Sequence, residues 1–102
     1  MNKKGTHAVV GIWNLADGFV EEQEGGLEKE VLPLVRQFPG FVAGYWLADR
    51  TTHRSYSFIL MEDEEAARRF KATVEGNPLG REKVGVSNES LAIVELVAEA
   101  AP

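Results

Sequence analysis

Four stretches of this chain are apolar at consecutive positions, not at alternate ones. His7 to Leu15 reads HAVVGIWNL, Gly40 to Ala48 reads GFVAGYWLA, Arg54 to Met61 reads RSYSFILM, and Leu91 to Ala98 reads LAIVELVA. Each has the length and the β-branched or aromatic content of a strand. A strand with one face in water alternates apolar and polar residues, and these mostly do not. The pattern predicts a sheet that is covered on both faces.

Two further stretches have helical spacing. Val20, Leu27, Val31, Leu34 and Phe38 recur three, four or seven residues apart, which is one face of a helix. Asp17 before Gly18 is the expected N-cap, and Glu21, Glu22 and Glu24 sit where the helix dipole favours negative charge. Gly25-Gly26 weakens the middle, and Pro33 removes a backbone donor. The expectation is one long helix bent near Lys29 to Pro33, ended by Pro39-Gly40. In the second helix Ala66, Ala67, Phe70 and Val74 share a face, Asp63 is the cap before Glu64-Glu65, and Gly76-Asn77-Pro78 is the stop. Asp49 to His53 has hairpin length. Leu79 to Ser90 reads mostly as loop, with Val84-Gly85-Val86 as a short extended piece.

The element order is therefore β-α-β-β-α-β within one domain, 1–102. Right-handed crossovers convert that order into a four-stranded antiparallel sheet with both helices on one face, an α+β, ferredoxin-like arrangement. Two helices cover one face. The simplest cover for the other is a second copy of the chain, so a homodimer is predicted.

Composition narrows the partners. The chain has 102 residues, 44% hydrophobic, enough for one folded core. No apolar run reaches membrane-spanning length, and MNKKGTH is followed by no signal-peptide stretch, so a cytoplasmic protein without a membrane partner is expected. The absence of cysteine excludes disulfides, thiolate nucleophiles and cysteine metal sites. A net charge of -5 argues against nucleic acid as a partner. His7 and His53 have no second ligand at metal spacing, and no dinucleotide or phosphate loop is present. No metal and no cofactor are expected.

The candidate chemistry is aromatic. Pairing through the 49–53 turn sets Trp46 opposite Ser57 and Gly44 opposite Ile59. Gly44 and Ser57 leave space beside the Trp46 ring, and Gly11 two residues before Trp13 does the same on a neighbouring strand. Large rings beside missing side chains form a flat slot for an aromatic ligand; filling of the core or a dimer interface is the alternative. Trp13, Trp46 and Ser57 are the candidate substrate-binding residues. Tyr45 and Tyr56 lie on the other face of the same two strands and are candidate catalytic residues, as hydroxyls that hold a phenol or donate to an oxyanion. The alternative for each is a core tyrosine with its tip in water.

PGFVAGYW after the first helix and SFILMEDEEAARRF at the third strand–second helix junction resemble the antibiotic-biosynthesis-monooxygenase-like group of the dimeric α/β-barrel superfamily. The resemblance spans nearly the whole chain. It implies two sheets packed face to face in a homodimer, with a pocket between sheet and helices or at the barrel mouth. Members include cofactor-independent oxygenases of polycyclic phenols and haem-degrading enzymes. It also implies a substrate- or oxygen-binding role for Asn14, at the end of the first strand, although Asn before Leu-Ala-Asp-Gly is equally a turn residue. Haem-degrading members hold iron with a histidine on the second helix; Asp63 to Gly76 contains none. The expected function is a small-molecule pocket protein resembling cofactor-independent monooxygenases of phenolic or quinol substrates. The alternative is a non-catalytic ligand-binding or stress-response dimerisation module.

Overall fold

The computed structural model describes residues 4–77 and 81–102. The elements are β1 (His7–Leu15), α1 (Val20–Gly26), α2 (Leu32–Gln37), β2 (Phe41–Asp49), β3 (Arg54–Met61), α3 (Glu64–Gly76) and β4 (Val86–Glu95). The strands form one antiparallel sheet in the order β2-β3-β1-β4, which is the ferredoxin-like order. Odd-numbered residues of β1 and β3 face the helices. Val9, Ile59 and Met61 are buried there with Val35 of α2 and Ala66, Ala67 and Phe70 of α3. Phe38 meets Phe70 edge to face, with ring centroids 5.2 Å apart.

The first helical region is continuous, and its expected bend takes a definite form. A π-helical segment, Leu27–Val31, joins α1 to α2, and the Leu32 N–H donates to the Leu27 carbonyl five residues back. Pro33 sits at the start of α2, just past this wider turn. A proline ring clashes with the carbonyl four residues back, and a π-turn relieves that clash without ending the helix. Pro33→Ala restores at most one backbone hydrogen bond, so its stability is expected within about 1 kcal/mol of the parent. A loss above about 2 kcal/mol in denaturant melts would show that the bend itself is required.

Two local expectations are corrected. Asp17 does not cap α1: the helix starts at Val20 behind Phe19, without a side-chain cap. The Asp17 carboxylate instead lies 2.9 Å from His53 Nδ1, bringing the β1–α1 loop against the hairpin turn. The last strand begins five residues earlier than its apolar run, at Val86, and ends at Glu95. Ser87 to Ser90 are exposed, so burial does not hold them. The β1–β4 ladder does, with a bulge after Ile12 where the Asn88 side-chain amide donates to the carbonyls of Ile12 and Ser90. Pro78, Leu79 and Gly80 lie outside the described residues. Asp63 caps α3 as expected, accepting from the Ala66 N–H at 2.8 Å.

In the β2–β3 hairpin, Asp49 Oδ1 accepts from the Thr51 and Thr52 amides. Hydrogen bonding from the Thr52 side chain first, then from these amides, holds its carboxyl below the usual aspartate range. A lowered folded-state pKa means that this contribution is present at neutral pH and is lost as the pH falls through it.

The even-numbered residues of β1 and β3, with their β2 and β4 neighbours, face away from the helices. Val10, Ile12, Leu47, Tyr45, Tyr56 and Phe58 lie on this side. Tyr45 is 64% exposed, Leu47 52% and Phe58 40%. No described helix is long and apolar enough to cross a membrane.

Candidate functional site

The sequence contains Gly-Xaa-Trp twice, as Gly11-Ile12-Trp13 in β1 and Gly44-Tyr45-Trp46 in β2. Residues two apart on a strand share a face, so each ring can fold back over its glycine. A Cβ on Gly44 would lie 2.9 Å from Cη2 and 3.0 Å from Cζ3 of Trp46. A Cβ on Gly11 would lie 2.7 Å from both Trp13 Nε1 and Ser57 Oγ. Glycine at these positions is what lets the rings lie flat.

Ser57 stands between the two units, paired with Trp46 on one side and Gly11 on the other. The Trp46–Ser57 and Gly44–Ile59 pairs are those the hairpin length predicts. Ser57 is only 4% exposed, and its Oγ accepts from the Trp13 indole N–H at 2.9 Å. The other side of Trp13 is also occupied. The Arg81 guanidinium carbon lies 4.8 Å from the ring centroid, and Arg81 Nη2 donates to the Val74 carbonyl. Burial there lowers the Arg81 pKa from the ordinary arginine value, with Glu82 opposing the shift. Stacked arginine and hydrogen-bonded serine together make Trp13 a fixed part of the fold.

Trp46 has a different environment. A cleft of about 260 Å³ opens between α2 and β2, lined by Leu32, Val35, Arg36, Phe41, Gly44 and Trp46. The Trp46 ring over Gly44 forms one wall, and Leu32 and Val35 come from the helix opposite. Two irregularities flank the cleft: the π-turn before α2 and a bulge in β2 between Phe41 and Ala43. Both kinds of irregularity recur beside functional sites because they re-aim side chains.

The residues singled out from sequence therefore divide by sheet face. Trp13, Trp46 and Ser57 share the helix-covered face. Tyr45 and Tyr56 lie on the open face, near Leu47 and Phe58. Asn14 is exposed at the end of β1, paired with Arg54 and Ser87. The structure does not bring Asn14, Tyr45 or Tyr56 to the cleft. Sequence reading missed Leu32, Val35, Arg36 and Phe41. The spacing of 32, 35 and 36 marks one helical face, but only the partner strand reveals that the face borders a cleft. No group of three metal-ligating side chains occurs among the described residues.

Solved structures share this fold. The ActVA-Orf6 monooxygenase of Streptomyces coelicolor, in complex with the ligand nanaomycin D, superposes with a TM-score of 0.66 at 17% identity, over 96% of this chain and 93% of that one. A candidate antibiotic biosynthesis monooxygenase from Deinococcus radiodurans gives 0.64 at 14% identity, over 94% and 95%. The fold is that of the antibiotic-biosynthesis-monooxygenase-like proteins. A protein of unknown function from Nitrosomonas europaea has the same fold, with a TM-score of 0.70 at 17% identity over 99% and 98% of the two chains. No family model matches the chain, and no curated protein matches it. At these identities the likeness to the monooxygenase-like proteins is one of fold.

Proposed function

We propose that this chain is a small-molecule pocket protein of the cofactor-independent monooxygenase type, taking a planar phenol or quinol in the cleft beside Trp46 and working as a homodimer. The observation that carries the reading is the Trp46 ring laid over Gly44 as the flat wall of a cleft whose other side chains are apolar except Arg36. A planar ring stacking there gains apolar burial and aromatic contact at once. The fold neighbours named as monooxygenases support the oxygenase part of the reading. Phenolic chemistry suits such a site. A deprotonated phenol can pass an electron to dioxygen, while the protein supplies a dry wall and oriented charge for the oxyanion. Trp13 and Ser57 act behind Trp46 by fixing the sheet floor.

The homodimer is supported by the open sheet face. Four strands about 4.8 Å apart and about nine residues long at 3.3 Å each present roughly 600 Å² in projection. A standard interface needs about 800 Å² of accessible area per partner, so the face is of the right order. Tyr45 and Tyr56 then meet the partner, with their hydroxyls available to bond across the interface.

One observation favours the non-catalytic alternative: the cleft lining carries a single charged group, Arg36, and no carboxylate, histidine or tyrosine. An oxygen electrode separates the two readings. The parent protein is expected to speed oxygen uptake by a planar quinol above the protein-free rate. Binding without uptake leaves the binding module. The absence of both binding and uptake overturns the pocket reading.

A further inference from the structure

We propose that the ligand of the cleft is an aromatic anion, with a carboxylate or phenolate oxygen held against the Arg36 guanidinium. The inference rests on the reading that the cleft takes a planar aromatic, and it adds the charge that the ligand must carry.

Arg36 is set apart by how the other arginines are used. Arg50 pairs with Glu24 at 2.9 Å, Arg54 with Glu89 at 3.0 Å and Arg68 with Glu64 at 2.9 Å; Arg69 pairs with Glu65. Arg81 stacks on Trp13 and donates to the Val74 carbonyl. Among the described residues Arg36 alone of the arginines has no ion pair, hydrogen bond or ring contact. The chain has 16 acidic residues against 11 lysines and arginines, so carboxylates are not scarce. Arg36 is also the one charged residue that lines the cleft. Its place in the last turn of α2 favours a cation, because the carbonyl end of a helix is negative. That effect leaves the five guanidinium N–H donors, arranged in a planar fork, free for an acidic oxygen.

The backbone aims this group. A π-turn adds one residue, which rotates everything after it by about 100° about the helix axis. The rotation after Leu27–Val31 sets Leu32, Val35 and Arg36 along the cleft. The cleft's roughly 260 Å³ falls just below the about 300–1,000 Å³ usual for ligand pockets, which fits a ring system of one or two rings. Leu32, Val35, Phe41 and Trp46 would receive the rings while Arg36 receives the acidic oxygen.

Isothermal titration with 2-naphthoate, 2-naphthol and the neutral 2-naphthamide tests this. At least one anion is expected to bind about tenfold or more tighter than the amide, as one charge-assisted hydrogen-bonded pair would give. A preference for naphthoate assigns the carboxylate; naphthol affinity that rises with pH through the ligand's own pKa assigns the phenolate. Arg36→Gln, at an exposed position, is expected to fold normally and to bind the anion only as well as the amide. Arg36→Lys is expected to keep part of the preference, since the charge remains but the fork is lost. Equal binding of amide and anions by the parent overturns the inference and leaves the cleft reading standing. So does an anion preference that survives in Arg36→Gln. Failure of all three probes to bind removes both.

Discussion

Phe58→Asp is expected to convert the proposed homodimer into a monomer that still folds. Phe58 lies on β3, a central strand, between Tyr45 of β2 and Val10 of β1 on the face turned away from the helices. It is 40% exposed in the single chain, so a carboxylate there keeps access to water and costs the monomer little. In a dimer packed through this face the same carboxylate is buried without a partner. Two-fold symmetry puts two such charges into one interface. Desolvating them should weaken association by more than about 3 kcal/mol, or over a hundredfold. Light scattering coupled to gel filtration at micromolar concentration reads the result. A parent protein that runs as a stable monomer, or a Phe58→Asp variant that stays dimeric, would show that the open face is not the interface.

The second large effect is expected at Gly11. Gly11→Ala places a methyl 2.7 Å from both Ser57 Oγ and Trp13 Nε1, in the middle of the indole–serine hydrogen bond. The ring cannot withdraw freely, because the Arg81 guanidinium lies against it. Ser57 is buried in the sheet, with the Trp46 strand on its other side. Breaking this bond in a part-buried setting and crowding the site should cost about 2–4 kcal/mol, from the unmet polar groups and the overpacking together. A denaturant melt measures it. A loss below about 1 kcal/mol would mean that the Trp13–Ser57 contact does not hold the sheet floor. Gly25→Ala is the control: a Cβ there meets nothing within 4 Å, and alanine is the better helix former.

How far the sequence reveals the fold depends on what holds each element. β1, β3 and α3 are held by burial, and their apolar patterns show them nearly to the residue. The hairpin register is legible because the turn length leaves little freedom, so the Trp46–Ser57 pair could be placed in advance. The first half of β4 is not legible in this way. Ser87-Asn88-Glu89-Ser90 is polar and exposed, and joins the sheet through backbone pairing and the Asn88 side chain. Asp17 misleads because two neighbours compete for one carboxylate, a helix start and His53, and it lies against His53. The cleft is the least legible feature. Its walls come from residues 32–36 and 41–46, and its helical wall depends on a π-turn that no hydrophobic period announces. The Trp46 half of the site shows in the Gly-Tyr-Trp spacing; the Arg36 half needs the fold.

The role of Trp46 as the cleft wall is decided by the dissociation constant of a planar phenol for Trp46→Ala, measured beside the parent. Trp46 walls a cleft on one side and has fewer packed neighbours than a sealed core ring. Its removal should therefore cost less than the about 3–5 kcal/mol typical of a fully packed tryptophan and leave the protein folded. The expected variant has a cooperative thermal melt and binds 2-naphthol at least about tenfold more weakly than the parent. A folded variant that binds the phenol as tightly as the parent would show that Trp46 does not wall the binding site.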